Sequence, residues 1–426
     1  MSQIAFEFPS PDAHPTPVPD AACSAAFELG WDFAHHALHL PAEHALPGAP
    51  LRQGWDAGRA CFGTRTLAPS RHVRKWLQLR LNAWRRGRLF EGLQVTPNYL
   101  RQIDVERCPI TRETLTQATC TPSDASIDRV RNDAGYAAGN LVVMSTRANA
   151  AKGDADFDEA LTRMRQAEEA EKAGSAPATG AASSERTLAA SRASEPVALS
   201  AAEWARVAVL CSFVTELPHE QAAALPLLVL PPNRLRLFNP VQALQALVTR
   251  QFLRPGWSAR IARVAELLPG KSLRRDFHVF VSALVPRVLA AGQSDDVHTM
   301  RWALEDAWRN PLVLRCWKRV ALQIDAAQAE RAVLRASQLR LADPALATNF
   351  EQATEGWGLA QRGRVEIDAA TALPPPLRRP RPAPNEMSTL AARDTPARTA
   401  DAMRGRLRGI AHGRRTEGPA FAAARS

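Results

Sequence analysis

Residues 126–154, SIDRVRNDAGYAAGNLVVMSTRANAAKGD, constrain the fold more than any other stretch of the chain. SIDRV alternates and suits a half-buried strand. NDAGY is a turn around Gly135, and Gly139-Asn140 punctuates the chain again before LVVM, an apolar second strand. Ser145 or Thr146 then caps a helix that begins RANAAK. A strand–loop–strand–helix unit of this size buries too little surface to stand alone, so it needs a metal or flanking helices.

The clearest flanking helix follows Ser70, a plausible N-cap. In RHVRKWLQLRLNAWRRGR, residues Val73, Trp76, Leu77, Leu81 and Trp84 recur at helical spacing. Arg74, Lys75, Arg80, Arg85, Arg86 and Arg88 occupy much of the rest, with no acid among them. A helix of this kind suits contact with phosphates, each neutralised phosphate releasing counterions. Thr96-Pro97 starts a second, short helix, with Thr as cap and Pro in the first turn.

Charge is unevenly placed along the 426 residues, whose formal net charge is +11. Residues 1–50 hold six acids and no Lys or Arg; residues 51–107 hold twelve Lys and Arg against four acids; residues 371–426 hold eleven Arg against four acids. This distribution points to a polyanion partner, most often nucleic acid. Six scattered cysteines do not form a disulfide framework or a four-thiolate zinc site. His35 and His39 are four apart, but no acid or cysteine at helical spacing completes a metal site. With no signal peptide and no apolar run long enough to span a bilayer, a cytoplasmic protein without membrane contact is expected.

The expected fold class is α+β, mostly helical: a small ββα module flanked by helices, then a separate all-α domain, with disordered termini. Residues 1–24 read as a flexible, Pro-rich N-terminus and 25–173 as the basic helix plus the ββα module, with its core at 108–154. Residues 174–197 read as a linker, 198–360 as a helical domain and 366–426 as a disordered basic Pro/Arg-rich tail. In the helical domain, Ser200 and Ser258 are expected N-caps, and Pro286 is expected to kink or break its helix. The Trp and Leu residues there read as core, and a protein partner through this domain is a further expectation.

The ββα pattern resembles the HNH, or His-Me finger, endonucleases. Asp128-Arg129 falls at the family's Asp-His pair, Gly135 at the loop glycine, Asn140 at the middle asparagine and Asn149 at the last His/Asn; Lys152-Gly153-Asp154 matches the usual ending. CPIT at 108–111 is similar to the knuckle that precedes the unit in many members. The Asp-Arg form is similar to that of phage-related proteins labelled HNH endonuclease. The resemblance implies a metal-dependent endonuclease hydrolysing DNA phosphodiesters. Asp128, Arg129 and Asn140 would be its catalytic residues, and Asp128 and Asn149 would hold one divalent cation, Mg²⁺ or Mn²⁺. Arg147 and Lys152 join the basic helix as nucleic-acid contacts, and Asn140 would pin the loop.

Two departures qualify this reading. The family's first histidine is the general base, and arginine, protonated at neutral pH, accepts no proton. Arg129 is left to clamp a phosphate, and Asp124, Asp133, Tyr136 and His72 are the substitute bases to weigh. In the knuckle only Cys108 remains of four thiolates, with Thr111, Ser145 and Ala148 in the other places, so structural zinc is not expected. The alternative is a catalytically degraded HNH module acting as a DNA-binding or adaptor protein.

Overall fold

Helix starts follow the capping chemistry of the sequence in the computed structural model, which describes residues 21–174, 198–291, 296–341 and 350–365. The order is α1 (Ala21–His35), α2 (Pro50–Phe62), α3 (Arg71–Arg85), α4 (Pro97–Ile103), β1 (Ala125–Arg129), β2 (Leu141–Ser145), α5 (Thr146–Lys152) and α6 (Phe157–Gly174). There follow α7 (Ala201–Ser212), α8 (His219–Ala224), α9 (Pro240–Gln251), α10 (Trp257–Leu267), α11 (Lys271–Ala291) and α12 (Val297–Ala307). The last elements are α13 (Pro311–Ala321), α14 (Ala326–Gln338) and α15 (Phe350–Ala353). The chain is mostly helical, with one small antiparallel sheet. Among the described residues no helix is long and apolar enough to cross a membrane. The expected flexible segments lie outside the described residues, except that α1 takes in 21–24 and α6 ends at Gly174.

Ser70 Oγ accepts from Val73 N at 3.3 Å to start α3, and Thr96 Oγ1 accepts from Tyr99 N at 3.2 Å ahead of Pro97. Ser200 and Glu203 close a reciprocal capping box on α7. One expected cap fails locally, and of the two expected effects of Pro286 a break does not occur. Ser258 is not a cap: Gly256, at φ +75°, takes that place and the helix begins at Trp257. Pro286 does not break its helix; α11 runs through it, with Leu284 and Val288 buried on either side.

Two apolar clusters meet on α3. Val73, Leu77 and Leu81 pack with Ala26, Leu29, Phe33 and Leu51 of α1 and α2. Leu79 and Ala83 belong to the larger core, which continues without interruption through the sheet and the later helices to Trp357. A sequence boundary at 198 is therefore not matched by a break in the core. All the described residues fall within one compact unit.

Polar contacts reinforce that continuity. Arg206 of α7 donates to the Ile110 carbonyl at 2.6 Å. Arg112 donates to Asp306 at 2.7 and 2.8 Å and to the buried Glu305 at 3.3 Å. The segment around Trp357 returns to the loop before β2: Gly135 N donates to Trp357 O at 2.7 Å, and the Trp357 indole to Ala138 O at 3.0 Å.

Candidate functional site

β1 and β2 pair so that Asp128 faces Val142 and Ser126 faces Met144. Every residue of β2 is buried, so the sheet is core with helices around it. Ser145 ends β2 and caps α5, its Oγ accepting from Ala148 N at 3.2 Å. Ser126 and Asp128 share one face of β1 because side chains alternate along a strand. The α5 helix lays Asn149 and Lys152 against that face: Asn149 Nδ2 donates to Ser126 Oγ at 2.6 Å, and Lys152 Nζ lies 3.0 Å from Asp128 Oδ2.

Lys152 is fully buried, not a surface contact for phosphate. Its ammonium also donates to the Arg129 carbonyl at 3.2 Å. Lys152 and Asp128 therefore form a buried ion pair. Burial pushes the Asp128 carboxyl above the usual carboxylate range, against the opposing pull of Lys152 and Arg129. A divalent cation at Asp128 would meet an ammonium already on the same oxygen. It would also lack room for the water shell that hard cations retain, since Asp128 is only 6% exposed. In this arrangement Asp128 and Asn149 share a face but do not fit a divalent cation.

Arg129 also turns inward, where the protein itself engages its guanidinium. It is 8% exposed, donates to the carbonyls of Ala134 at 2.8 Å and Asn132 at 3.2 Å, and lies over the Tyr136 ring with 5.0 Å to the centroid. These contacts hold the loop. Asn140, with no exposed surface, holds the same loop as the sequence reading expects. Its Oδ1 accepts from Arg131 N at 2.9 Å, and its Nδ2 donates to Arg131 O at 3.0 Å and Gly135 O at 3.1 Å.

The substitute bases are engaged elsewhere. Asp124 accepts from Thr119, Thr116 and the Cys120 amide, and the two threonine hydroxyls hold its carboxyl well below the usual range. Asp133 pairs with Arg131, which lowers its pKa. Tyr136 is buried beneath Arg129, and His72 Nε2 lies 3.1 Å from Asp104 Oδ2. His35 stacks on Phe62 and His39 leans on Trp55.

The knuckle positions do converge, with Cys108 as the one sulfur among them. Cys108 is buried, and its sulfur accepts from Thr111 N at 3.4 Å and Ser145 N at 3.3 Å. Thr111 Oγ1 donates to Glu113. Two N–H···S bonds and a helix cap thus tie the positions together with ligand chemistry unsuited to zinc.

The basic residues divide into two sets. Arg80 pairs with Asp32 and stacks on Trp76; Lys75, half-buried, donates to Ala125 O at 3.3 Å. Arg88 donates to the carbonyls of Asn132 and Arg362, and Arg147 pairs with Glu203 at 2.5 Å. These cations fasten elements together. Arg74, Arg85 and Arg86 are exposed and have no ion-pair partner among the described residues. Arg74 and Arg85 lie eleven residues apart, nearly in line along the helix and roughly 16 Å from one another.

Sequence reasoning missed Arg234 and Arg236. They flank the buried Leu235 and reach a polar cleft beside α4. The alternation Arg-Leu-Arg-Leu at 234–237, with no acid nearby in sequence, is the signal that marks them. No family model matches this chain, and neither a curated protein nor a solved structure matches it.

Proposed function

We propose that this chain is a nucleic-acid-binding protein in which an HNH-like ββα unit, β1–β2–α5, serves as a structural scaffold and not as a nuclease centre. The observation that carries the choice is the buried Lys152 ammonium 3.0 Å from Asp128. It neutralises the carboxylate that a metal-dependent nuclease would need, and Arg129 beside it is spent on backbone carbonyls. No proton acceptor stands free in the usual base position. Nucleic-acid binding is supported by the net charge of +11 and by Arg74 near the start of α3 and Arg85 and Arg86 at its end, all exposed and without acids paired to them among the described residues. DNA is the polyanion proposed, held through its phosphates. The helices from α7 onward, read from sequence as a separate domain, then form the support that a small ββα unit requires.

Salt dependence tests this reading. Binding of the full chain to a short DNA duplex, followed by fluorescence anisotropy, is expected to weaken steeply with salt. The triple variant Arg74→Ser, Arg85→Ser, Arg86→Ser should bind more weakly at low salt. Its slope of log affinity against log salt should be shallower by about 3, near one unit per lost phosphate contact. An unchanged slope, or no binding by the wild type at low salt, contradicts the proposal.

A further inference from the structure

A cleft of about 260 Å³ opens between α4, the loop before β2 and the segment that joins α8 to α9. Gln94, Asn98, Tyr99, Gly139, Arg234 and Arg236 are among the residues that line it. No carboxylate does. Glu91 acts electrostatically on Tyr99; its Oε1 accepts from the amides of Leu93 and Gln94, and its Oε2 is buried without a hydrogen-bond partner.

The two arginines are positioned by the backbone. Leu235 between them is 1% exposed and anchors the segment in the core. Arg236 N donates to Gly139 O at 3.0 Å, and the stem of Arg236 crosses directly over Gly139. A Cβ on residue 139 would lie 2.3 Å from Arg236 Cγ, and φ there is +90°, so only glycine leaves this path open. Gly139 N in turn donates to the Tyr99 hydroxyl at 3.0 Å, which leaves the hydroxyl proton available to the cleft. Neither guanidinium has a hydrogen-bond or ion-pair partner among the described residues, and both act electrostatically on Tyr99. The cleft therefore gathers two unpaired cations, a hydroxyl donor and side-chain amides around one small volume.

We propose that this cleft is an anion site that takes a phosphate group. Two guanidinium groups match the oxygens of a phosphate in number and geometry, and the amides add neutral donors at the rim. The anion site stands on the cleft's own residues. Its assignment to a nucleic-acid phosphate, and not a free one, rests on the function proposed above.

The test uses the full chain at low ionic strength, with inorganic phosphate and a short single-stranded oligonucleotide as separate titrants in a calorimeter. Arg236→Met keeps the stem over Gly139 and removes the charge; Arg234→Ser changes an exposed side chain. Each single variant is expected to bind phosphate about tenfold more weakly, as for loss of a charge-assisted hydrogen bond. Loss for both titrants supports a nucleic-acid phosphate in the cleft. Loss for inorganic phosphate alone supports the anion site with a free phosphate as its source. Wild-type phosphate binding that is absent, or retained in both variants, overturns the proposal. The α3 triple variant separates the two ideas, because it should lose duplex binding and keep phosphate binding. Should Arg236→Met fail to fold, Arg234→Ser alone decides the outcome.

Discussion

Lys152→Met is expected to lower folding stability by about 3–5 kcal/mol at neutral pH, the usual cost of leaving a buried charge without its partner. The methionine fills a similar volume, so the loss reports the charge and not a cavity. Asp128 would remain buried with only Arg129 nearby, and the Arg129 carbonyl would lose its donor. The pH dependence has a definite sign. Burial raises the folded pKa of Asp128 above its unfolded value, and removing Lys152 raises it further. Stability tied to such a group is fully present below the unfolded carboxylate pKa, about 4, and is lost as pH rises through the folded value. The deficit of the variant should therefore be smallest near pH 4 and grow toward neutrality. Urea unfolding of both proteins at several pH values measures it. A variant within about 1 kcal/mol of wild type at pH 7, inside the range of exposed ion pairs, would mean that the pair is not buried as described.

Asn140→Ala is expected to cost about 3 kcal/mol, because one buried and two half-buried backbone groups lose a partner at once. Those groups are Arg131 N, Arg131 O and Gly135 O. The loop they belong to is also held by Arg129 and by the Trp357 contacts, so the damage should stay local in the native state. Amide exchange should accelerate first between residues 130 and 140. A shift in the urea midpoint worth less than about 1 kcal/mol, the scale of a single net hydrogen bond, would show that these contacts are replaceable by water.

How far the fold was legible depends on the range of the interactions that set it. The caps at Ser70, Thr96, Ser145 and Ser200, and the two strands, rest on side chains within four residues of the backbone they serve, and the sequence displays them directly. The α10 cap went to Gly256 because a left-handed residue there starts the helix one position before Ser258. Pairings across long separations are invisible in a single sequence. Arg80 reads as a phosphate contact until Asp32 is brought to it, and Arg147 until Glu203 is. The same holds within the ββα unit. The strand frame around Asp128, Arg129, Asn140, Asn149 and Lys152 was legible from alternation and turn residues, and the loop contacts of Asn140 lie within ten residues of it. The inward turn of Arg129 and the burial of Lys152 depend on how α5 and the loop close over β1. One local clue was present: the last two residues of β1 are both charged and both buried, a pattern that a strand tolerates only where partners wait.

Plasmid nicking tests the scaffold reading most directly. The full-length protein, incubated with supercoiled plasmid and Mg²⁺ or Mn²⁺ at low salt, is expected to retard the DNA without converting it to the open-circular form. Metal-dependent nicking by the wild type that disappears in Asn149→Ala, with folding retained, would contradict that reading and place a working nuclease centre on the face shared by Asp128 and Asn149.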